Sequence, residues 1–112
     1  MNETVKPLKG KYERLYYDLI NAKITTHYLE TSEDGGTCNF DAPTITLPRW
    51  NENGIRKAAE DAGLRAWKWY GSTWILSFPT SGQGNRRTRR AEAIKDELAK
   101  NGYNVGMYYQ MD

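Results

Sequence analysis

The chain is predicted to fold as an α+β protein, a two-layer sandwich in which helices cover one face of a mostly antiparallel sheet. Three observations carry that expectation. Segments with a 3.6-residue apolar period alternate with segments of period two or short apolar runs. Glycine and proline punctuate the joins. The sequence of 112 residues has the length of a single domain with one core, and it shows no internal repeat, low-complexity tract or linker. The order is helix, two strands, helix, two strands, helix, strand (α-ββ-α-ββ-α-β), within one compact domain over residues 1–112.

From Pro7, the apolar positions Leu8, Tyr12, Leu15, Tyr16 and Leu19 form an amphipathic stripe ending near Asn21. Gly10 weakens the first turns of that helix by about 1 kcal/mol. Ile24–Glu30 and Thr37–Leu47 are rich in β-branched and aromatic residues, and Gly35-Gly36 lies near the bend, so they form two strands of a hairpin. Cys38, Phe40 and Ala42 fall on one face, but Ile45 and Leu47 on the other. A bend or bulge at Pro43 is therefore expected, on an edge strand, because proline has no amide to donate.

Asn51 is a helix N-cap followed by Ile55, Ala58, Ala59 and Ala62 at helical spacing. Trp50, just before the cap, is placed to pack on Ile55. Gly63 ends the helix in a left-handed cap with Leu64 as its apolar contact. Arg65–Tyr70 and Thr73–Phe78 flank Gly71-Ser72, a two-residue hairpin turn. Pairing outward from the turn sets Trp69 opposite Trp74 and Trp67 opposite Leu76, with Phe78 on the same, core-facing side. The last helix, Arg86 to Lys100, buries Ala91, Ile94 and Leu98; Asn101-Gly102 closes it, and Asn104–Met111 alternates as a final strand.

Composition narrows the function. Four Trp, eight Tyr and two Phe with 27% charged residues describe a packed soluble domain and not a disordered tail. No apolar run approaches the ~18 residues of a membrane span, and the N-terminus lacks a signal-peptide core, so a cytoplasmic location and no membrane partner are expected. Cys38 is the single cysteine and His27 the single histidine. Neither a disulfide nor a zinc cluster is expected, and no metal or other cofactor. The net charge of +2 hides an asymmetry: no Lys or Arg lies between Lys23 and Arg49, an interval holding Glu30, Glu33, Asp34 and Asp41. That interval carries −4 and the remainder +6, which gives two surfaces of opposite sign.

The functional lead is the passage Ser81-Gly82-Gln83-Gly84-Asn85 into a helix whose start holds Arg86, Arg87, Arg89 and Arg90. Amides of a first helical turn have no intrahelical acceptor, and the helix dipole favours an anion there. Gly82, Gly84, Asn85, Arg86, Arg87 and Arg90 form the expected anion or nucleic-acid site, with Arg87 on the core side of the helix and projecting over the end of the sheet, Arg86 and Arg90 flanking it, and Arg89 pointing away. The structural alternative is that Arg87 pairs internally with Glu52, Asp61 or the C-terminal carboxylate. Arginine suits phosphate because its planar fork donates two hydrogen bonds. With no catalytic signature assembled, a non-enzymatic binding protein is expected, acting on nucleic acid or on a nucleic-acid-binding protein. The acidic segment 30–41, through Glu30, Glu33, Asp34 and Asp41, offers the second reading: an inhibitor that imitates phosphates in the basic groove of a nucleic-acid-handling enzyme. His27 with Asp41 or Glu30, or Cys38 as a nucleophile, and Glu33 with Asp34 as a loop metal site, are the weaker chemical options.

Two resemblances bear on these readings. The order strand, glycine loop, helix, strand, with Gly82-x-Gly84 at the helix mouth, resembles the pyrophosphate loop of the GNAT acetyltransferases over about 35 residues, which implies an acyl-coenzyme A-dependent acyltransferase. In general make-up, compact, free of cofactor motifs and rich in Trp and Tyr, the whole chain resembles small proteins of phages and mobile elements. That group includes anti-CRISPR inhibitors.

Overall fold

Three helices stand against one face of a four-stranded antiparallel sheet. The computed structural model describes residues 9–27, 41–78 and 84–109, with residues 84–88 by their backbone alone. In chain order the elements are α1 (Lys11–Thr25), β1 (Ala42–Thr46), α2 (Glu52–Asp61), β2 (Arg65–Tyr70), β3 (Thr73–Ser77), α3 (Gly84–Lys100) and β4 (Asn104–Tyr108). The sheet order is β2-β3-β1-β4. This is the expected two-layer α+β class. No helix among the described residues is long and apolar enough to cross a membrane.

The core lies between the layers. Ile45, Leu47, Trp74, Leu76 and Phe78 from the sheet side meet Leu15, Leu19 and Ala22 of α1, Ile55, Ala58 and Ala59 of α2, and Ile94 and Leu98 of α3. Burying this many large apolar side chains, at ~1.5–3 kcal/mol for each fully buried one, is the main force holding the layers together. Turn chemistry then fixes the ends. Asn51 caps α2 by accepting from the Asn53 and Gly54 amides at 2.8 and 3.2 Å. Gly63 at φ 85° ends it, with the Leu64 amide donating to the Ala59 carbonyl and the Gly63 amide to Glu60, both at 3.0 Å. Gly102 at φ 95° closes α3 in the same way, through the Tyr103 amide to Leu98 and its own amide to Ala99.

Four sequence expectations are corrected or extended. First, α1 begins after Gly10 and runs through Thr25, so Ile24 and Thr25 are helical and Thr26-His27 form the turn that follows. Local and long-range bonds together override β-propensity here: Thr25 and Thr26 hydroxyls donate back to the Asn21 and Ala22 carbonyls at 2.9 and 2.7 Å, and Arg90 donates to Thr26 Oγ1 and the Lys23 carbonyl. The rest of that expected strand and the hairpin bend at Gly35-Gly36 lie outside the described residues.

Second, Pro43 sits inside a central strand with no register break. The ladder of β1 on β4 runs unbroken from Ala42↔Tyr108 to Thr46↔Asn104. Amides two apart along a strand point the same way, and the Leu47 amide donates towards β3, to the Ser72 carbonyl at 2.9 Å. Proline's missing donor thus faces β3, where the rungs stop at Thr44↔Ile75, and the β4 ladder on its other side is untouched.

Third, Trp50 packs against the core cluster that holds Ile55 and, beyond what was expected, sets its ring edge-on to Tyr12, centroids 5.1 Å apart, beneath the Lys11 ammonium at 4.7 Å. Its indole therefore joins α2 to the start of α1.

Fourth, the β2-β3 hairpin is out of the expected register. Trp67 pairs with Ile75 and Lys68 with Trp74, and a bulge between Lys68 and Tyr70 absorbs Trp69. One residue of slip turns every side chain over. Ala66 faces the core, while Trp67 and Trp69 face the other way. Ala66 packs against the core, where α2 presents Ala58, Ala59 and Ala62, all buried.

Candidate functional site

The expected site is the start of α3. Gly84 is the first residue of that helix, which places Asn85, Arg86 and Arg87 in its first turn, and that turn carries no acidic residue. Gly82 and the side chains of 84–88 lie outside what is described. Arg89 is exposed, in agreement with its expected outward direction. Arg90 is not at the surface. It is 4% exposed, four residues ahead of Ile94 and eight ahead of Leu98 on the buried stripe. Its Nε donates to Thr26 Oγ1 and its Nη2 to the Lys23 carbonyl, both at 3.2 Å. A guanidinium there serves the orphan carbonyls and negative dipole end of α1, and burial lowers its pKa from the ordinary arginine value. Lys23 does the same service for α2, its Nζ donating to the Ala62 carbonyl at 2.8 Å.

Two carboxylates that sequence offered as internal partners for Arg87 are engaged elsewhere. Glu52 is bound by Lys68, whose hydrogen bond and charge hold that carboxyl below its usual range. Asp61 meets Lys57 at 3.0 Å, one turn away on α2.

Of the acidic segment, Asp41 is described and is buried, 5% exposed, immediately before β1; it does not stand on the surface expected of a phosphate mimic. Glu30, Glu33, Asp34 and Cys38 lie outside the described residues. His27 follows the end of α1 and is exposed. Among the described residues no group of three His, Cys, Asp or Glu side chains is placed to hold a metal ion.

The feature that sequence reasoning missed is the face of the sheet turned away from the helices. Trp67 and Trp69 are 48% and 44% exposed, and Tyr70 64%. The Trp69 ring lies edge-on to Tyr70 at 4.8 Å and to Tyr108 at 5.1 Å. Trp69 and Tyr108 belong to opposite edge strands, so their rings lean across β3 and β1 to meet. Gly106 lies against Thr44 on this face, where a Cβ would come 3.1 Å from Thr44 Oγ1. Around the rings the floor is mixed, with Ile75 paired between Trp67 and Thr44. Thr44 lies beside Gly106, and the Thr46 and Thr73 hydroxyls are 2.9 Å apart across β1 and β3. None of the four strands contains Asp or Glu. Arg65 shares the face with Trp67 two residues on, and is exposed. The signal available in sequence was the Trp-x-Trp-Tyr run before a tight turn; its direction hung on the bulge.

The two regions adjoin. A cavity of about 20 Å³, room for one water, is lined by Asp41, Ala42, Ser77, Phe78, Arg90 and Ala91 among others. The first turns of α3 therefore lie at the end of the sheet where β1 starts and β3 finishes. Arg65, paired with Ser77, and Tyr108, paired with Ala42, stand at that same end.

No family model, curated protein or solved structure matches the chain. The chemistry of these two regions is thus the whole basis for a functional reading. At the opposite end of the sheet, a cleft of about 330 Å³ is lined by Lys11, Arg14, Trp50 and Asn101. Its cations already have partners: Lys11 over Trp50, and Arg14 donating to the Asn101 carbonyl at 3.4 Å and 3.7 Å from Asp18.

Proposed function

We propose that this protein binds nucleic acid without catalysing a reaction, and that the start of α3 supplies the phosphate contacts. The observation that supports the reading best is the charge around that helix start. Its first turn holds Arg86 and Arg87 with no acidic residue, and Glu52 and Asp61, two of the carboxylates considered as internal partners of Arg87, have lysine partners of their own. Cations at the positive end of a helix dipole are unfavourable by roughly 0.3–1 kcal/mol each. An external polyanion removes that penalty and gains the first-turn amides as donors.

The test is a salt titration of binding to generic DNA and RNA. Each phosphate neutralised steepens the decline of log K with log salt by ~0.9 on duplex and ~0.7 on single strands. Charge reversal at Arg86 and Arg87 should abolish binding at moderate salt and flatten that slope. Absence of binding at low salt refutes the proposal.

A further inference from the structure

We infer that the uncovered face of the sheet is a stacking platform for the unpaired bases of single-stranded nucleic acid, centred on Trp67, Trp69 and Tyr108. The inference rests on the nucleic-acid reading above and adds which form of nucleic acid is bound and where.

Three properties of the face point to this occupant. Large exposed aromatic area on a small domain marks an interaction surface, and here it is gathered on one face by a bulge that the ladder itself does not need. Trp69 is held by edge-to-face contacts to Tyr70 and Tyr108, so its indole is fixed in place before any ligand arrives. Base stacking on such rings is tolerant of sequence because every base has a π-face.

Charge gives the second property. The four strands contribute Arg65 and Lys68 and no acidic residue. Arg65 stands on this face, whereas Lys68, one residue out of phase with Trp67, is turned to Glu52 of α2. Arg65 and the start of α3 border the same end of the platform, which allows a strand laid over the rings to run its phosphates towards cations.

The third property is the floor. Thr46, Thr73 and Ser77, half-buried on this face, put hydroxyls beside the apolar Ile75, which pairs with Trp67, a mixed surface suited to the sugars and faces of bases. The sheet is about 14 Å across its four strands, enough for a few stacked nucleotides. A duplex hides its base faces and gains nothing from the rings.

The experiment titrates the full chain with unstructured oligo(dT) and with a duplex of equal length at low salt, following intrinsic tryptophan fluorescence and the anisotropy of a labelled strand. Trp74 is 1% exposed and out of reach, so quenching reports chiefly on the exposed indoles. Oligo(dT) should quench and the duplex should not. Trp69→Ala should weaken oligo(dT) binding roughly tenfold or more, from the worth of one stacked base, and leave duplex binding unchanged. Because Trp69→Ala disturbs a ring cluster, Trp67→Ala is measured beside it, with melting temperatures for both; it should weaken oligo(dT) in the same sense. Trp69→Phe, which keeps a stacking face, should retain most of the affinity.

Equal binding of single strand and duplex, insensitive to both tryptophans, overturns the platform and leaves phosphate binding by α3 intact. Concentration-dependent dimerisation that buries the indoles and is lost in Trp69→Ala also overturns it, by showing a second copy as the occupant. Failure to bind either nucleic acid removes the reading on which the platform rests.

Discussion

Arg90 offers a sharp test of what the α3 arginines do, because its surroundings assign it to the fold and not to a ligand. Replacing it with methionine keeps the apolar stem and removes the guanidinium. Lost with it are the hydrogen bonds to Thr26 Oγ1 and the Lys23 carbonyl. Bonds from a charged donor contribute on the order of 1.5 kcal/mol each, net of the water given up. A cation over the last turn of a helix adds about 0.5 kcal/mol, and methionine's freedom from the desolvation that depresses the arginine pKa offsets part of the sum. The expected loss is therefore ~2–3 kcal/mol. At roughly 2 cal/mol/K of unfolding entropy per residue, a chain of this size loses about 4 °C per kcal/mol, so the melting temperature should fall by about 10 °C. Urea unfolding followed by tryptophan fluorescence gives the free energy, and circular dichroism gives the melting curve. Folded Arg90→Met should bind nucleic acid as the parent does, whereas charge reversal at Arg86 and Arg87 should not. A variant within 0.5 kcal/mol of the parent that nonetheless loses binding would refute the reasoning, since it would make the guanidinium a ligand contact.

Further outcomes follow from local geometry. Gly54→Ala, which ordinarily strengthens a helix by ~1 kcal/mol, should here destabilise by about 1–2 kcal/mol in urea unfolding, because the new Cβ would lie 2.5 Å from Tyr12 Cε1 and displacing that ring breaks the 2.8 Å bond from the Asn51 amide to the Tyr12 hydroxyl; a more stable variant would show that the ring swings aside freely. Arg49 has φ 70° at the third position of a turn closed by the Trp50 amide on the Leu47 carbonyl at 3.3 Å, so Arg49→Gly should raise the melting temperature by roughly 2–4 °C, and an unchanged value would mean the turn holds no strain. Tyr103 donates to Asp18 at 2.6 Å, and burial, then that bond, raises its pKa above the ordinary tyrosine value. A raised folded pKa gives stability that is complete below the unfolded value, ~10, and is lost as pH climbs above it. Denaturation at pH 7 and pH 11 should show that loss in the parent and less of it in Tyr103→Phe; identical pH dependence would dissociate Tyr103 from it.

Local signals were legible wherever the chain's own turn chemistry decides the outcome. Asn51, Gly63 and Gly102 each cap a helix as the sequence implies, and Ala91, Ile94 and Leu98 are the buried stripe of α3. What escaped depended on partners distant in sequence. Little near Ile24 and Thr25 announces that they remain helical, since beside the local Thr25 and Thr26 hydroxyl bonds that end is tied to the Ala62 carbonyl through Lys23 and to Arg90. The central place of Pro43 follows from β4, distant in sequence, pairing along the other side of β1. Arg90 is buried because the end of α1 lies beside it, through Thr26 and the Lys23 carbonyl, which no local pattern announces. The aromatic face was invisible because pairing outward from Gly71-Ser72 without a bulge sends both β2 indoles inwards.

That irregularity in β2 has a consequence for how the chain tolerates change. Beyond it, Tyr70 already pairs with Thr73 and Lys68 with Trp74, so a gene lacking the codon for residue 69 would encode a hairpin with uniform rungs and every remaining neighbour retained. The extra residue contributes a ring and no rung. Length variation at this one place is therefore a route by which descendants of this chain gain or discard the surface indole while the architecture beneath stays the same.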